Sequence, residues 1–276
     1  MLTTSFHHEP AQMAALYAQF TQRVQEPPPE LARPLYIAGQ CCGWATHAAC
    51  DALRRLPKVQ VEADALRIGP RLTMGPELNA LLAQVAQTLR DADCLRGWRD
   101  ELMDVLGPEG CLGIIERAAM RPLGLLTRAV HLNAWTPDGR LWVARRALSK
   151  STDPGMWDTL VGGLVSTQED LEQGLLRECA EEAGLAPESL TTRTPLRTIL
   201  RVQRRLPEGY QVEDLLTSTC VLPADTQPAN QDGEVMEIAH ITVAEAVRQI
   251  ADGEFTVEAA LVILEDITQR RAHGEI

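Results

Sequence analysis

The sequence predicts an α+β protein in two units: a small mixed α/β unit over residues 1–122 and an α+β unit over 123–276. Three observations lead there. The chain has 276 residues, 45% hydrophobic and 23% charged, which suits one or two globular domains with an ample core. Arg121-Pro122-Leu123-Gly124 is a turn signal near the middle. Beyond it a strand hairpin is followed by a helix, further strands and a last helix, the order of helices packed on a mixed sheet.

In chain order, the first unit opens with a helix from near Glu9, where Met13, Leu16, Tyr17 and Phe20 recur at helical spacing. Pro27-Pro28-Pro29 end it. Leu35-Tyr36-Ile37-Ala38 reads as a strand entering a turn at Gly39-Gln40. Helical patterns follow over 48–56 and 76–90, the second with Pro76 just inside its start. Val59-Gln60-Val61 and Leu102-Met103-Asp104-Val105 read as short strands. In the second unit residues 125–135 alternate as a strand, Thr136-Pro137-Asp138-Gly139 turns the chain, and 141–146 complete a hairpin. The last helix spans about 257–269.

Net charge is -12, and residues 123–276 hold 24 acids against 14 bases. An acidic second half with 4% aromatics argues against nucleic acid as partner. No uncharged apolar run approaches the ~20 residues that span a bilayer, so no membrane role is expected. The start MLTTSFHHEPAQM lacks the basic and apolar stretches of a secretory signal. Seven cysteines, an odd number without a Cys-x-x-Cys pair, point to small buried hydrophobes in a reducing cytoplasm. A homodimer is compatible with the sequence.

The informative segment is Gly163 to Leu185, GLVSTQEDLEQGLLRECAEEAGL. Ser166 and Thr167 precede Glu169 and Asp170 by three residues each, a doubled capping-box signal for a helix that Gly184 stops. Leu171, Leu175, Leu176, Cys179, Ala180 and Ala183 form its apolar stripe. Gly174 in mid-helix implies close packing. Glu178, Glu181 and Glu182 fall on one face within one turn. A solvated acidic face is the simple reading of Glu-x-x-Glu-Glu. A divalent cation offsets the repulsion better, because Mg²⁺ takes one or two carboxylates and fills its shell with water and phosphate oxygens.

Gly163, Glu169, Arg177, Glu178, Glu181, Glu182 and Gly184 fit G-x5-E-x7-R-E-U-x-E-E-x-G-U, with Cys179 and Leu185 at the apolar positions. This pattern resembles the Nudix box. The resemblance implies an α/β/α sandwich over 123–276 that hydrolyses a small-molecule diphosphate with Mg²⁺ or Mn²⁺. It makes Glu178, Glu181, Glu182 and the carbonyl of Gly162 metal ligands, with Glu169 and Arg177 as a supporting pair that orients Glu178. The general base varies in this family, so Glu178, Glu234 and Glu237 are all candidates.

Further segments, among them Val130-His131-Leu132-Asn133, Trp142-Val143-Ala144-Arg145-Arg146, Pro154-Gly155-Met156-Trp157-Asp158 and Asp232-Gly233-Glu234-Val235, resemble Nudix proteins related to thiamine pyrophosphokinase. Trp98-Arg99-Asp100-Glu101-Leu102 and Ile115-Glu116-Arg117-Ala118-Ala119 look like parts of the extra N-terminal domain of that branch. The implied substrates are thiamine diphosphate and its oxo or oxy forms, cut to the monophosphate. Trp157 is then the candidate ring stacker, His131 and Asn133 the candidate polar readers, and Arg145 and Lys150 the candidate diphosphate-steering cations. A nucleoside diphosphate derivative is the alternative substrate. Isopentenyl diphosphate isomerase shares a Pro-Gly-x-Trp segment, but Val161-Gly162-Gly163 stands where it needs a cysteine. A non-catalytic diphosphate sensor usually loses box glutamates, and this chain keeps them.

Overall fold

The computed structural model describes residues 8–150 and 152–276, with side chains from Ala11 onward. Residues 1–7, on which much of the no-leader reading rests, lie outside the described residues. The chain begins with α1 (His8–Arg23), followed by the hairpin β1 (Arg33–Ile37) and β2 (Gln40–Ala45). Then come α2 (His47–Leu53), β3 (Val59–Val61), β4 (Leu66–Ile68) and α3 (Pro76–Asp91). Thr46 caps α2 by accepting from the Ala49 N–H, and Pro76 takes the first turn of α3, where a missing N–H costs nothing. The four strands form one sheet in the order β2-β1-β4-β3. A separate hairpin, β5 (Leu102–Gly107) and β6 (Gly110–Glu116), follows, and a short 3-10 turn covers Arg117–Ala119. Leu78, Leu82, Val85 and Leu89 of α3 pack with Leu35, Ile37, Leu66, Ile68 and Val105 in one buried cluster.

The second unit contains β7 (Leu126–Trp135), β8 (Leu141–Arg146), β9 (Trp157–Thr159), β10 (Val161–Leu164) and α4 (Leu171–Ala183). After a second 3-10 turn at Pro187–Leu190 come β11 (Arg197–Leu206), β12 (Gly209–Val221), β13 (Val235–Ile241), α5 (Val243–Ala251) and α6 (Val257–Ala272). The sheet runs β11-β12-β7-β8-β13, with β12 and β7 parallel and the other pairs along this path antiparallel. β10 pairs with the first part of β7 and β9 with β8, so the sheet splits where β7 and β8 diverge. Alternation along β7 divides the core. Val130, Leu132 and Ala134 face Leu175, Cys179 and Ala183 of α4. Ala129 and Trp135 face the apolar residues of α6 on the other side. One mixed sheet between two helical layers is the α/β/α sandwich that the box implies.

The units are joined closely. Trp44 N–H donates to the Leu123 carbonyl at 3.1 Å and Thr46 N–H to that of Pro122 at 2.9 Å. A Cβ on Gly43 would strike the carbonyls of Leu123 and Gly124, and Gly124 has φ +56, so both positions need glycine. Hydrophobic burial does not divide at one chain position. Met13, Phe20 and Val24 from α1 and its end are buried with α6 and the second sheet, and Leu123 and Leu125 are buried with the first unit. The backbone after α1 holds the second unit as well, with Gln203 N–H donating to Val24 at 2.7 Å and the Tyr210 hydroxyl to Glu26 at 2.7 Å.

All seven cysteines are free thiols. Cys50, Cys179 and Cys220 fill buried apolar positions, whereas Cys41 and Cys111 are exposed at the first unit's hairpins, contrary to the expectation for all seven. Among the described residues no helix is long and apolar enough to cross a membrane.

Candidate active site

The glutamate helix begins later than the doubled capping signal predicts. Asp170 is the N-cap of α4, accepting from Gln173 N–H at 2.8 Å while the Gln173 side chain accepts from Asp170 N–H at 2.9 Å. Ser166 and Thr167 serve another purpose, because their hydroxyls donate across the unit junction to Glu101 at 2.6 Å and Asp104 at 2.7 Å. Gly184, at φ 62, ends the helix as expected. Gly174 packs against Val165, which a Cβ would meet at 3.0 Å. On the apolar side Ala180 is exposed and Glu182 takes a buried place instead.

Arg177 organises the carboxylates. Its guanidinium donates to Glu169 at 2.6 and 3.1 Å, to Glu178 at 2.8 Å, to Glu181 at 2.9 Å and to the Leu164 carbonyl at 3.1 Å. Glu169 and Glu178 thus share the Arg177 guanidinium. Glu178 lies over Gly163, where a Cβ would occupy the place of its carboxyl. Glu182 accepts the Gly162 N–H at 2.9 Å, and Lys150 Nζ lies 3.9 Å from its other oxygen. Burial, and then the charge of Glu178, push the Glu182 carboxyl up to about 8. Burial also raises Glu178 against the pull of Arg177.

Glu101, Arg117, Lys150, Glu169, Glu178, Glu181, Glu182, Asp232 and Glu234 border one cleft with Gly162 and Gly163. Lys150 is hydrogen-bonded to Glu234. Burial raises the Glu234 carboxyl, but the hydrogen bond and charge of Lys150, together with the charges of Arg117 and Arg146, carry the group below its ordinary value. Among the described residues no three acidic, histidine or cysteine groups close around a point, since Arg177 draws Glu178 and Glu181 and Gly162 holds Glu182. The donor set nevertheless fits a hard divalent cation. A buried carboxylate, a partly buried one and a half-exposed third crowd one turn of helix, and ionising Glu182 there is costly without more positive charge. In an antiparallel pair a residue's N–H and C=O share one strand edge, so the Gly162 carbonyl stands on the edge facing these carboxylates.

A second cleft adjoins the first and shares Arg117, Lys150 and Gly162–Leu164 with it. His131 lines it and is 5% exposed. The Thr159 hydroxyl donates to the Val161 carbonyl at 2.8 Å, so it accepts from His131 Nδ1 at 3.1 Å, which assigns an N–H to Nδ1. His131 Nε2 is then a buried acceptor that has no hydrogen-bond partner among the described residues.

Lys150 borders both clefts, whereas Asn133, Trp157 and Arg145, the remaining proposed substrate residues, stand outside them. Asn133 shares the His131 face but lies farther along, beneath α6, where its amide donates to Val262 at 3.3 Å. Trp157 packs against the α6 core, bridges to Phe255 and lies 5.7 Å from the Arg145 guanidinium. Arg145 donates to Gly155 at 3.0 Å and lies 3.7 Å from Glu237, which is exposed on the outer strand β13. Sequence reasoning missed Asp232, Glu101 and Arg117 as cleft residues. The motifs around Glu101 and Arg117 are visible in the sequence, but their proximity to the box depends on how the units dock.

The description "NUDIX domain" matches residues 125–261, and "Domain of unknown function (DUF4743)" matches 16–127. The chain is 31% identical over 205 residues to "Nudix hydrolase 24, chloroplastic" of Arabidopsis thaliana, covering 72% of this chain and 55% of that protein. "Nudix hydrolase 20, chloroplastic" of the same plant is 32% identical over 190 residues, covering 67% and 50%. The chain therefore spans about half the length of these curated relatives. An "Isopentenyl-diphosphate Delta-isomerase" of Kocuria rhizophila is 36% identical over 112 residues, covering 40% of this chain and 59% of its own. With the box glutamates, their arginine and the sandwich around them in one domain, the chain belongs to the Nudix hydrolase family.

Proposed function

We propose that this protein hydrolyses a diphosphate linkage with Mg²⁺ or Mn²⁺ as cofactor. One observation carries the reading: Glu178, Glu181, Glu182 and Gly162 border a single cleft, with the Glu169–Arg177 pair behind them. These four residues would hold the cation, which would screen phosphate charge and acidify a water for attack on phosphorus. Arg177 orients Glu178. The base is Glu178 or Glu234, both on the cleft, and the variant to Gln with the larger kcat loss identifies it. Lys150, between Glu182 and Glu234, steers the substrate's negative charge.

The finer proposal is that the substrate is thiamine diphosphate or its oxo or oxy form, released as monophosphate and phosphate. The two matched domains and the segments quoted above support it. So does His131, whose buried acceptor suits a ring amino group beside the cleft. A phosphate-release assay with Mg²⁺, repeated in EDTA, over thiamine diphosphates, nucleotide sugars, ADP-ribose and dinucleoside polyphosphates tests this. Metal-dependent turnover of the thiamine forms is expected. Another class at about ten times their kcat/KM would overturn the substrate while leaving the hydrolase. Isomerase chemistry has less support, because no cysteine borders the cleft among the described residues. Cys179 is buried on the sheet side of α4, where burial pushes its thiol up to about 12. Seven free thiols support a reducing compartment such as the cytoplasm.

A further inference from the structure

We propose that Arg117, supplied by the first unit, is a phosphate-positioning residue that grips the substrate diphosphate opposite the box glutamates. The proposal rests on reading the cleft as a diphosphate site. Arg117 borders the carboxylate cleft, the adjoining His131 cleft and a third cavity between the units. Its backbone is fixed at the start of a 3-10 turn, where buried Glu116 accepts from Ala118 N–H at 3.2 Å and from Arg99 N–H at 2.8 Å. Its guanidinium donates to Glu101 at 2.6 Å, and the same carboxylate accepts the Ser166 hydroxyl of the box loop at 2.6 Å. The arginine is therefore held against the box through one shared acceptor.

That tether uses only part of the fork. Its side chain is 40% exposed, and its side-chain partner among the described residues is Glu101, which leaves donors of the fork available at the cleft that Arg117 borders. A planar guanidinium with free donors beside carboxylates that would hold a cation matches a phosphate bridging the two. Lys150 borders the same two clefts but is engaged by Glu234, so Arg117 is the cation better disposed to receive the ligand.

The test is calorimetric titration of the full chain with methylenediphosphonate in Mg²⁺, for wild type, Arg117→Gln and Glu101→Gln. Loss of a charge-assisted hydrogen bond weakens binding by about 10- to 100-fold, so that is the change expected for Arg117→Gln. Glu101→Gln, which keeps the guanidinium and only neutralises its acceptor, should weaken binding by less than Arg117→Gln does. Arg117→Lys keeps the charge without the fork and should fall between them. Equal affinity of Arg117→Gln and wild type overturns the proposal. Equal losses in Arg117→Gln and Glu101→Gln also overturn it, by making the arginine a strut between units. So does a wild type that does not bind the probe. A wild type that binds the probe yet hydrolyses no diphosphate overturns the hydrolase reading instead, and the Arg117 comparison stands.

Discussion

Glu181 and Glu182 differ in setting although they are neighbours in one turn: the Glu181 side chain is 49% exposed and that of Glu182 is 8%. Both are proposed cation ligands, so each change to Gln should weaken Mn²⁺ binding, followed by paramagnetic resonance, by at least about tenfold. Unchanged affinity in both variants would remove them as ligands. Another buried carboxylate, Asp266, borders neither cleft. Asp266 accepts Trp135 Nε1–H at 2.8 Å and the Thr219 hydroxyl at 3.3 Å, with Arg270 and Glu265 nearby. Burial pushes its carboxyl up to about 6 against the opposing pull of Trp135, Arg270 and Thr219. The folded chain holds this proton more tightly than the unfolded one, so the cost is absent below about pH 4 and fully expressed above about pH 6. It amounts to about 3 kcal/mol. Asp266→Asn should gain on wild type in denaturant stability as pH rises through that window, and a constant difference would contradict the assignment.

At the scale of elements, α4 and β10 work as one piece, because glycine on the strand leaves room for glutamate on the helix. A methyl group at Gly163 would displace the Glu178 carboxyl, the movable end of a side chain. Gly163→Ala should therefore melt within a few degrees of wild type while kcat falls at least about tenfold. Full activity would show that Glu178 does not need its place over the strand. This helix was legible in the sequence because its signals are local: glutamate spacing, the Gly184 stop and the Gly174 contact. The start was misplaced because Ser, Thr and Asp all offer capping oxygens. Only the tertiary structure shows that Ser166 and Thr167 are taken by Glu101 and Asp104. Alternation along β7 put His131 and Asn133 on one face correctly, but the position of α6 decides that only His131 reaches a cleft.

Across the whole molecule, the docking of α1 on α6 couples the chain's beginning to the second sheet's core. Phe20 is 4% exposed in that cluster, and Phe20→Ala should cost about 3–5 kcal/mol in denaturant unfolding. A loss below about 1 kcal/mol would mean that the helix contributes little there. The amphipathic pattern of α1 was legible, but its partner was not, because nothing local says which apolar face covers it. The same limit hid Glu101 and Arg117, which lie far in sequence from the box they adjoin. The central claim is that one cleft, built from α4 and β10 and completed by the first unit, makes diphosphate hydrolysis depend on a divalent cation. The direct measurement is the initial rate of phosphate release from the best-turned-over diphosphate, followed against Mg²⁺ concentration for the full chain and for Glu182→Gln. A saturable Mg²⁺ dependence abolished by EDTA, with the variant at least about 100-fold slower, is the predicted result. A rate indifferent to metal, or a variant as fast as wild type, would contradict it.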